Sequence, residues 1–417
     1  MEPIPPEPFS AALRRRLAAS VPSRRPVQAV LAMPHVKALA GASFVARLPR
    51  GMASLAVVLL VHEASGSYAV AGGAAGAMAI GDAAISPIQG RLIDRLGQRR
   101  VLLPSAVFYL LVLCVLATAA AAHWPPALMI GLAAVGGMAY PPISASMKTL
   151  WPVLVGGELL QTAYAIESLI QQSFFFLGPL LVAALVAVGS PAAAVIATGA
   201  FALAGTIGFV ASPASRAWRG GGRKRSRTGA LAHGGVRLIV AVTVTQSVVF
   251  GTLYVAVPAF AARHGNANAA GVLLAVMNVG ALAGGLVGAS RLTSQRAVNR
   301  YLRLSALLAV SIAPLLLARS LATMGLLLAV AGLFVAPTAA ASYVLVELVS
   351  PHGYRTEAFT WMSTAVAVGG ALGSTIAGAL TDHASVEATL LFAVVSCGAG
   401  ATAVFAAHDW LQREALR

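Results

Sequence analysis

Four ionisable side chains stand inside otherwise apolar runs of this sequence: Arg47 and Arg50, which flank Pro49, then Asp82 and Glu167. An ionisable group in hydrocarbon costs roughly 2.5–3.5 kcal/mol on insertion scales, so it faces a cavity or a partner and is a functional candidate by default. A cation beside a carboxylate favours its charged form, and an apolar setting favours its neutral form. A carboxylate that alternates between the two therefore takes up and releases a proton. On this chemistry Asp82, Glu167 and Arg47 are the candidates for proton coupling. Gln171 lies one turn beyond Glu167 on the same face. Arg47 and Arg50, with Tyr140, Tyr164, Gln171, Gln246, Tyr254, Asn278, Tyr343 and Trp361, form a candidate substrate lining. Pro49 removes a backbone donor and is a candidate helix bend.

What must position these groups is a membrane-spanning scaffold. The chain has 417 residues, 58% hydrophobic and only 10% charged. A soluble protein carries about 25% charged residues, so a soluble enzyme is excluded, and so is disorder. Stretches long enough to cross a bilayer, about 20 residues each, cover about 36–61, 69–92, 101–122, 127–149, 161–187, 191–211, 237–261, 270–289, 302–318, 321–346, 357–380 and 387–407. Gly66-Ser67, Trp124-Pro125-Pro126, Gly189-Ser190-Pro191, Gly265-Asn266, Pro351-His352-Gly353 and Asp382-His383 punctuate them as turns. At about 1.5 Å per residue, Arg47 lies roughly 18 Å along a helix beginning near His35, close to the bilayer midplane. Asp82 falls at a similar depth.

The net charge of +16 does not indicate nucleic acid, because the basic residues are not clustered on one solvated face. All but four of the 29 basic residues fall in segments on the side of the N-terminus. Arg263 and Arg319 lie on the other side, and Arg47 and Arg50 are in the first span. Basic loops stay cytoplasmic, so both termini are expected inside, in a cell inner (plasma) membrane. Residues 1–34, basic and Pro-rich, are expected to be a disordered cytoplasmic tail rather than a cleavable signal. The expected division is a bundle over 35–211, a basic cytoplasmic linker over 212–236, a second bundle over 237–408 and a tail over 409–417. Away from their ends, where Arg303 and Glu387 stand, the third, sixth, ninth and twelfth spans carry no charge, as expected of helices facing lipid. All eight histidines fall at span ends or in loops.

The two halves keep traces of a repeat, as transporters built from repeats do. Gly136, Pro141 and Ser146 recur as Gly332, Pro337 and Ser342, each 196 residues further on. Ala163, Tyr164 and Gly178 recur at 195 as Ala358, Phe359 and Gly373, and Met78 and Gly81 recur at 199 as Met277 and Gly280.

Between the second and third spans the chain reads Gly90-Arg91-Leu92-Ile93-Asp94-Arg95-Leu96-Gly97-Gln98-Arg99-Arg100-Val101-Leu102. This resembles the signature of the major facilitator superfamily, G-x-L-x-D-R-x-G-R-K-x-x-L. Gly90, Leu92, Asp94, Arg95, Gly97 and Leu102 match, Arg99 is a basic replacement and Gln98 departs from it. The resemblance, over about residues 35–410, implies an all-α membrane protein of twelve transmembrane helices in two pseudo-symmetric six-helix bundles, working by alternating access. It also implies a cytoplasmic gate in which Gly90, Asp94, Arg95, Gly97, Arg99 and Arg100 meet the start of the eleventh span. That span begins Thr356-Glu357, so a basic side chain, Arg95, Arg99 or Arg355, would have to mediate between two acids. Gly178-Pro179 is similar to the Gly-Pro of the family's antiporter motif, a further candidate helix bend, although Phe174 replaces that motif's first glycine. The fourth span lacks the family's intramembrane arginine, for which Arg47 is the candidate substitute, and the equivalent loop near Gly288 to Arg291 has no aspartate.

No Gly-x4-Gly-Lys-Ser/Thr phosphate loop occurs, and Cys114 and Cys397 are isolated, so no cofactor, metal or ATP is expected and a proton gradient is the energy source. Arg outnumbers Lys 26 to 3 amid abundant Ala and Gly, a bias of GC-rich bacterial coding sequence. The resulting expectation is a monomeric, non-enzymatic secondary transporter exporting a small organic molecule or drug in exchange for protons, as in the drug:proton antiporter branch. A symporter or uniporter importing an anionic metabolite is the same-fold alternative, and a membrane scaffold or sensor is the alternative of another class. Small-molecule substrate, protons and lipid are the expected partners, with no nucleic acid.

Overall fold

The computed structural model describes residues 26–155, 157–218, 230–287, 294–350 and 355–415, and these described residues form helices with no strand. Most of the N-terminal tail, residues 219–229 of the basic linker and the 288–291 segment lie outside them. The long helices are α1 (Val36–Ser65), α2 (Tyr68–Leu96), α3 (Gln98–Ala121), α4 in two pieces (Pro126–Ala139 and Ile143–Leu154), α5 (Gly157–Val188) and α6 (Pro191–Ala211). After the linker come α7 (Gly234–Arg263), α8 (Ala269–Val287), α9 (Ser294–Ile312), α10 (Leu321–Val349), α11 (Arg355–His383) and α12 (Val386–Ala406). Ten stretches among the described residues are long and apolar enough to cross a membrane. The apolar segments Ser173–Val188 and Ala269–Gly285, at the places of the expected fifth and eighth spans, are shorter.

Local chemistry explains where these helices start. Ser67, Ser190 and Ser385 each cap the following helix by accepting a hydrogen bond from the backbone N–H three residues on. Ser320 and Thr323 form a reciprocal capping box at α10. Two expectations at the chain ends change. Pro26–Ala32 is a helix with Ala29 and Val30 buried, and His408–Ala415 is a helix with Leu411 buried, so apolar faces dock segments that composition alone reads as tail.

Before the linker, α1 packs on α5 and α6, α2 on α4, and α3 on α6; after it, α7 packs on α11 and α12, and α8 on α10. The two sets meet where α2 packs on α11 and α5 on α8. The repeat has a geometric counterpart at its glycines. A Cβ on Gly137 would overlap the Met78 carbonyl, and a Cβ on Gly332 would overlap the Met277 carbonyl, so α2–α4 and α8–α10 cross in the same way. Gly137, not the sequence-matched Gly136, is therefore the spatial equivalent of Gly332. Likewise Gly178 lies against the backbone of Gly51 where α5 crosses α1, and Gly373 against that of Val248 where α11 crosses α7.

α1 ends and α2 begins at the face of the molecule opposite the chain termini. There a single apolar cluster joins both sets of helices, with Leu55, Val58 and Ala71 from the first and Val257, Phe260 and Ala377 from the second. At the termini face the clusters are separate, one around Trp151 and Phe209 and the other around Val236 and Tyr301. Among the described residues the molecule is thus sealed across its far face and parted towards its termini.

Candidate functional site

The parting of the bundles leaves a central cavity of about 810 Å³. Its size falls within the roughly 300–1,000 Å³ of small-molecule sites. Arg50 and Asp82 line it on the first bundle with Tyr140 and Gln171, and Gln246, Tyr254, Asn278 and Tyr343 line it on the second. Arg47 and Trp361 are not in the wall, and the Tyr164 side chain lies outside the described residues.

The four intramembrane charges resolve into two pairs of different character. Arg50 Nη1 donates to Asp82 Oδ2 at 2.7 Å and Nη2 to Oδ1 at 3.4 Å. The guanidinium carbon sits 4.8 Å from the centre of the Tyr140 ring, whose edge contact with Tyr109 (centroids 5.4 Å apart) fixes its plane. The Arg50 side chain is 37% exposed and that of Asp82 18%, so the cavity presents more of the cation than of its partner.

Arg47 and Glu167 are paired away from the cavity. Arg47 Nη1 donates to Glu167 Oε1 and Nη2 to Oε2 (3.4 Å), while Trp151 Nε1 donates to the same Oε2 at 3.1 Å. Arg47 Nε is satisfied by the Ser43 carbonyl at 3.0 Å, and the guanidinium carbon is 5.9 Å from the Phe174 ring centre. With Arg47 1% and Glu167 4% exposed, this is a desolvated clamp joining α1, the second piece of α4, and α5. A lone charge left in such a site is strongly destabilising, which is why every polar atom of the pair is engaged.

The break in α4 falls at Tyr140-Pro141-Pro142, inside the apolar run expected over 127–149 as one continuous span. The two prolines have no N–H to give to the preceding turn. The Gln89 side-chain amide from α2 donates instead to the freed carbonyls of Met138 (3.1 Å) and Tyr140 (3.2 Å). The break thereby sets Tyr140 under Arg50. At the expected bends Pro49 and Pro179, by contrast, α1 and α5 remain continuous helices.

The segment resembling the family signature is mostly helical. α2 runs on to Leu96 and α3 begins at Gln98, so the expected loop shrinks to Gly97, whose φ of 86° suits glycine. Gly90 makes no close helix approach. Arg95, Arg99 and Arg100 are exposed, and the side chains of Asp94 and Glu357 lie outside the described residues. Gln98, the departure from the signature, is 1% exposed. Its Nε2 donates to the Ser146 carbonyl (3.2 Å) and Thr149 Oγ1 (3.3 Å), and its Oε1 accepts from Ser215 Oγ at 2.7 Å.

The far-face seal contains a residue that the sequence reads only as part of a turn. Asp382, at the end of α11, lies against the start of α2. Close crossings of Gly72 and Gly76 with Ser374, and of Gly271 with Pro179, continue the seal inward.

A helical bundle with apolar outer faces, sealed at one face and holding between two halves a cavity with polar groups set in a mainly apolar wall, has the build of a membrane transporter. The chain belongs to the Major Facilitator Superfamily, whose profile matches residues 39–328 and 239–413. No curated protein sequence matches it. Among solved structures it is similar to the nucleoside transporter NupG, at 13% identity over 90% of this chain and 98% of that one, TM-score 0.67. It is also similar to a bacterial homolog of the human lysosomal transporter Spinster, in an inward-facing and occupied conformation, at 14% identity over 93% and 98%, TM-score 0.67. A D-xylose-proton symporter matches at 13% identity over 89% and 97%, TM-score 0.68. At such identities the likeness is one of fold.

Proposed function

We propose that this protein is a secondary active transporter that moves a small organic molecule through the central cavity by alternating access, coupled to protons at Asp82. The observation that carries this reading is the Arg50–Asp82 pair on the cavity wall. A proton on Asp82 removes one charge of the pair and leaves Arg50 uncompensated. Arg47 and Glu167 take a structural role here, because their pair is enclosed and off the cavity. With the termini cytoplasmic, as the basic residues imply, the cavity opens inward and the far-face seal is the closed outer gate.

Two couplings are open to such a pair, and they differ in sign. Cargo that competes with the proton is exchanged for it, which gives efflux by antiport, the reading favoured by the likeness of Gly178-Pro179 to the antiporter motif. Cargo that binds better beside a protonated Asp82 travels with the proton, and the exposure of Arg50 towards the cavity favours this second coupling. Of the two, co-transport is the reading adopted, because it rests on the site itself. The test is proton movement in proteoliposomes on addition of cargo. Asp82→Asn is expected to abolish it, and cargo-driven proton movement that persists in this variant removes Asp82 from the mechanism.

A further inference from the structure

Resting on the proton-binding role of Asp82, the geometry points to the class of cargo: we propose a small organic monoanion with an apolar body, bound through its anionic group to Arg50 when Asp82 is protonated. Arg50 and Asp82 are the only charged residues among those that line the cavity in the described structure. The charge offered to a ligand therefore depends on one proton. With Asp82 ionised the wall is neutral; with Asp82 protonated it carries a single positive charge in a partly desolvated setting, where a charge attracts its counterpart more strongly than in bulk water.

A guanidinium matches a carboxylate in a two-bond geometry, and Arg50 already makes that geometry with Asp82. A cargo carboxylate would take over the same two donors. Tyr140 covers one face of the guanidinium and holds it in place during the exchange of partners. A cation is disfavoured, since Arg50 keeps its charge at any physiological pH and is the more exposed of the two wall charges. A dianion is disfavoured for want of a second cation.

The opposite wall defines the rest of the molecule. Asn278 spends its Nδ2 on the Leu274 carbonyl (2.8 Å) and Gln246 its Nε2 on Ser305 Oγ (3.1 Å). Each amide retains its acceptor oxygen and one further N–H, so the end of the cargo remote from its carboxylate is a neutral hydrogen-bonding group such as a hydroxyl. Phe175, Phe250 and Met277 line the space between and take an apolar or aromatic middle.

The probe that fits this description is 4-hydroxybenzoate, with phthalate as the dianion and tetraphenylphosphonium as the cation. Binding to the full chain in detergent would be measured by calorimetry. The expected result is that 4-hydroxybenzoate affinity rises as the pH falls from about 8 to about 6, by up to tenfold per unit. In Asp82→Asn it is tight and independent of pH. The Arg50→Gln/Asp82→Asn pair, which leaves no uncompensated charge and so preserves packing, loses affinity at least tenfold. Phthalate and tetraphenylphosphonium bind more weakly than 4-hydroxybenzoate at every pH. Tetraphenylphosphonium binding more tightly as the pH rises overturns the proposal, as does 4-hydroxybenzoate binding unchanged in the double variant. So does no binding to a protein with an intact melting curve. The two readings fail separately. Affinity that needs Arg50 but keeps its pH dependence in Asp82→Asn removes Asp82 as the proton site and leaves the cargo class standing. A pH dependence lost in Asp82→Asn with no need for Arg50 does the reverse.

Discussion

The carboxylate of Asp382 caps the helix that begins at Tyr68. Its Oδ1 accepts from the Tyr68 N–H at 2.9 Å and its Oδ2 from the Ala69 N–H at 2.8 Å, with a third bond from Ser67 Oγ at 2.5 Å. The acid comes from the second bundle and the helix start from the first, so this cap joins the two across the far face. Helix N-termini leave unpaired N–H groups and carry partial positive charge, both of which a carboxylate satisfies.

Asp382→Ala is expected to loosen the far-face seal. Losing an N-cap costs about 0.5–2 kcal/mol, which corresponds to an opening equilibrium shifted by roughly two- to thirtyfold. The measurement is labelling of Ser54→Cys, in the cavity wall, by a membrane-impermeant thiol reagent applied from the far face, in a background lacking Cys114 and Cys397. Faster labelling in the Asp382→Ala variant is the expected outcome. A rate equal to that of the parent would show that the glycine crossings alone keep this face shut.

Glu167→Ala should destabilise the protein strongly, by about 3–5 kcal/mol, because it strands the buried charge of Arg47 and the Trp151 indole N–H. Replacing both partners, with Arg47→Met and Glu167→Leu, should recover most of the loss, since apolar groups of similar volume carry no desolvation penalty. Thermal unfolding in detergent reads both. If Glu167→Ala melts with the wild type and instead alters the pH dependence of transport, the clamp assignment fails and Glu167 returns as a proton carrier.

Gln98→Arg, which restores the basic residue of the family signature, is expected to lower stability here. The position is buried against Ser146, Thr149 and Ser215, where the amide uses both its donor and its acceptor. A guanidinium cannot accept from Ser215 and brings a charge to a position whose described partners, Ser146, Thr149 and Ser215, are all neutral. The expected loss is a few kcal/mol in thermal unfolding, against about 1–3 kcal/mol for Gln98→Ala, which leaves the Ser215 hydroxyl without its acceptor. An unchanged melting temperature for Gln98→Arg would mean that the side chain escapes to solvent.

Much of this was legible beforehand because it depends on composition and spacing. Long apolar runs, the turns between them and the repeat of Met78 and Gly81 as Met277 and Gly280 follow from local chemistry and from the need of crossing helices for small residues. Six of the expected lining residues beyond the charges, Tyr140, Gln171, Gln246, Tyr254, Asn278 and Tyr343, do face the cavity. Polar side chains in apolar spans are carried on the face turned away from lipid. Tyr109 was missed because it sits in the third span, whose lack of formal charge gave no reason to turn it inward. Asp382 was missed for a different reason: beside His383 at a span end, it has the composition of a turn.

By itself the sequence determined that the chain crosses a membrane many times and that Arg47, Arg50, Asp82 and Glu167 are exceptions needing partners. Only the tertiary structure decided which partner each one takes. Arg47 and Arg50 are three residues apart on α1, and at 3.6 residues per turn their side chains point roughly 60° apart. That angle turns Arg47 to α5 and Glu167, and Arg50 to α2 and Asp82. Periodicity gives the angle, but the neighbour across it depends on how distant segments pack. That packing separates an enclosed clamp from an ion pair open to the cavity.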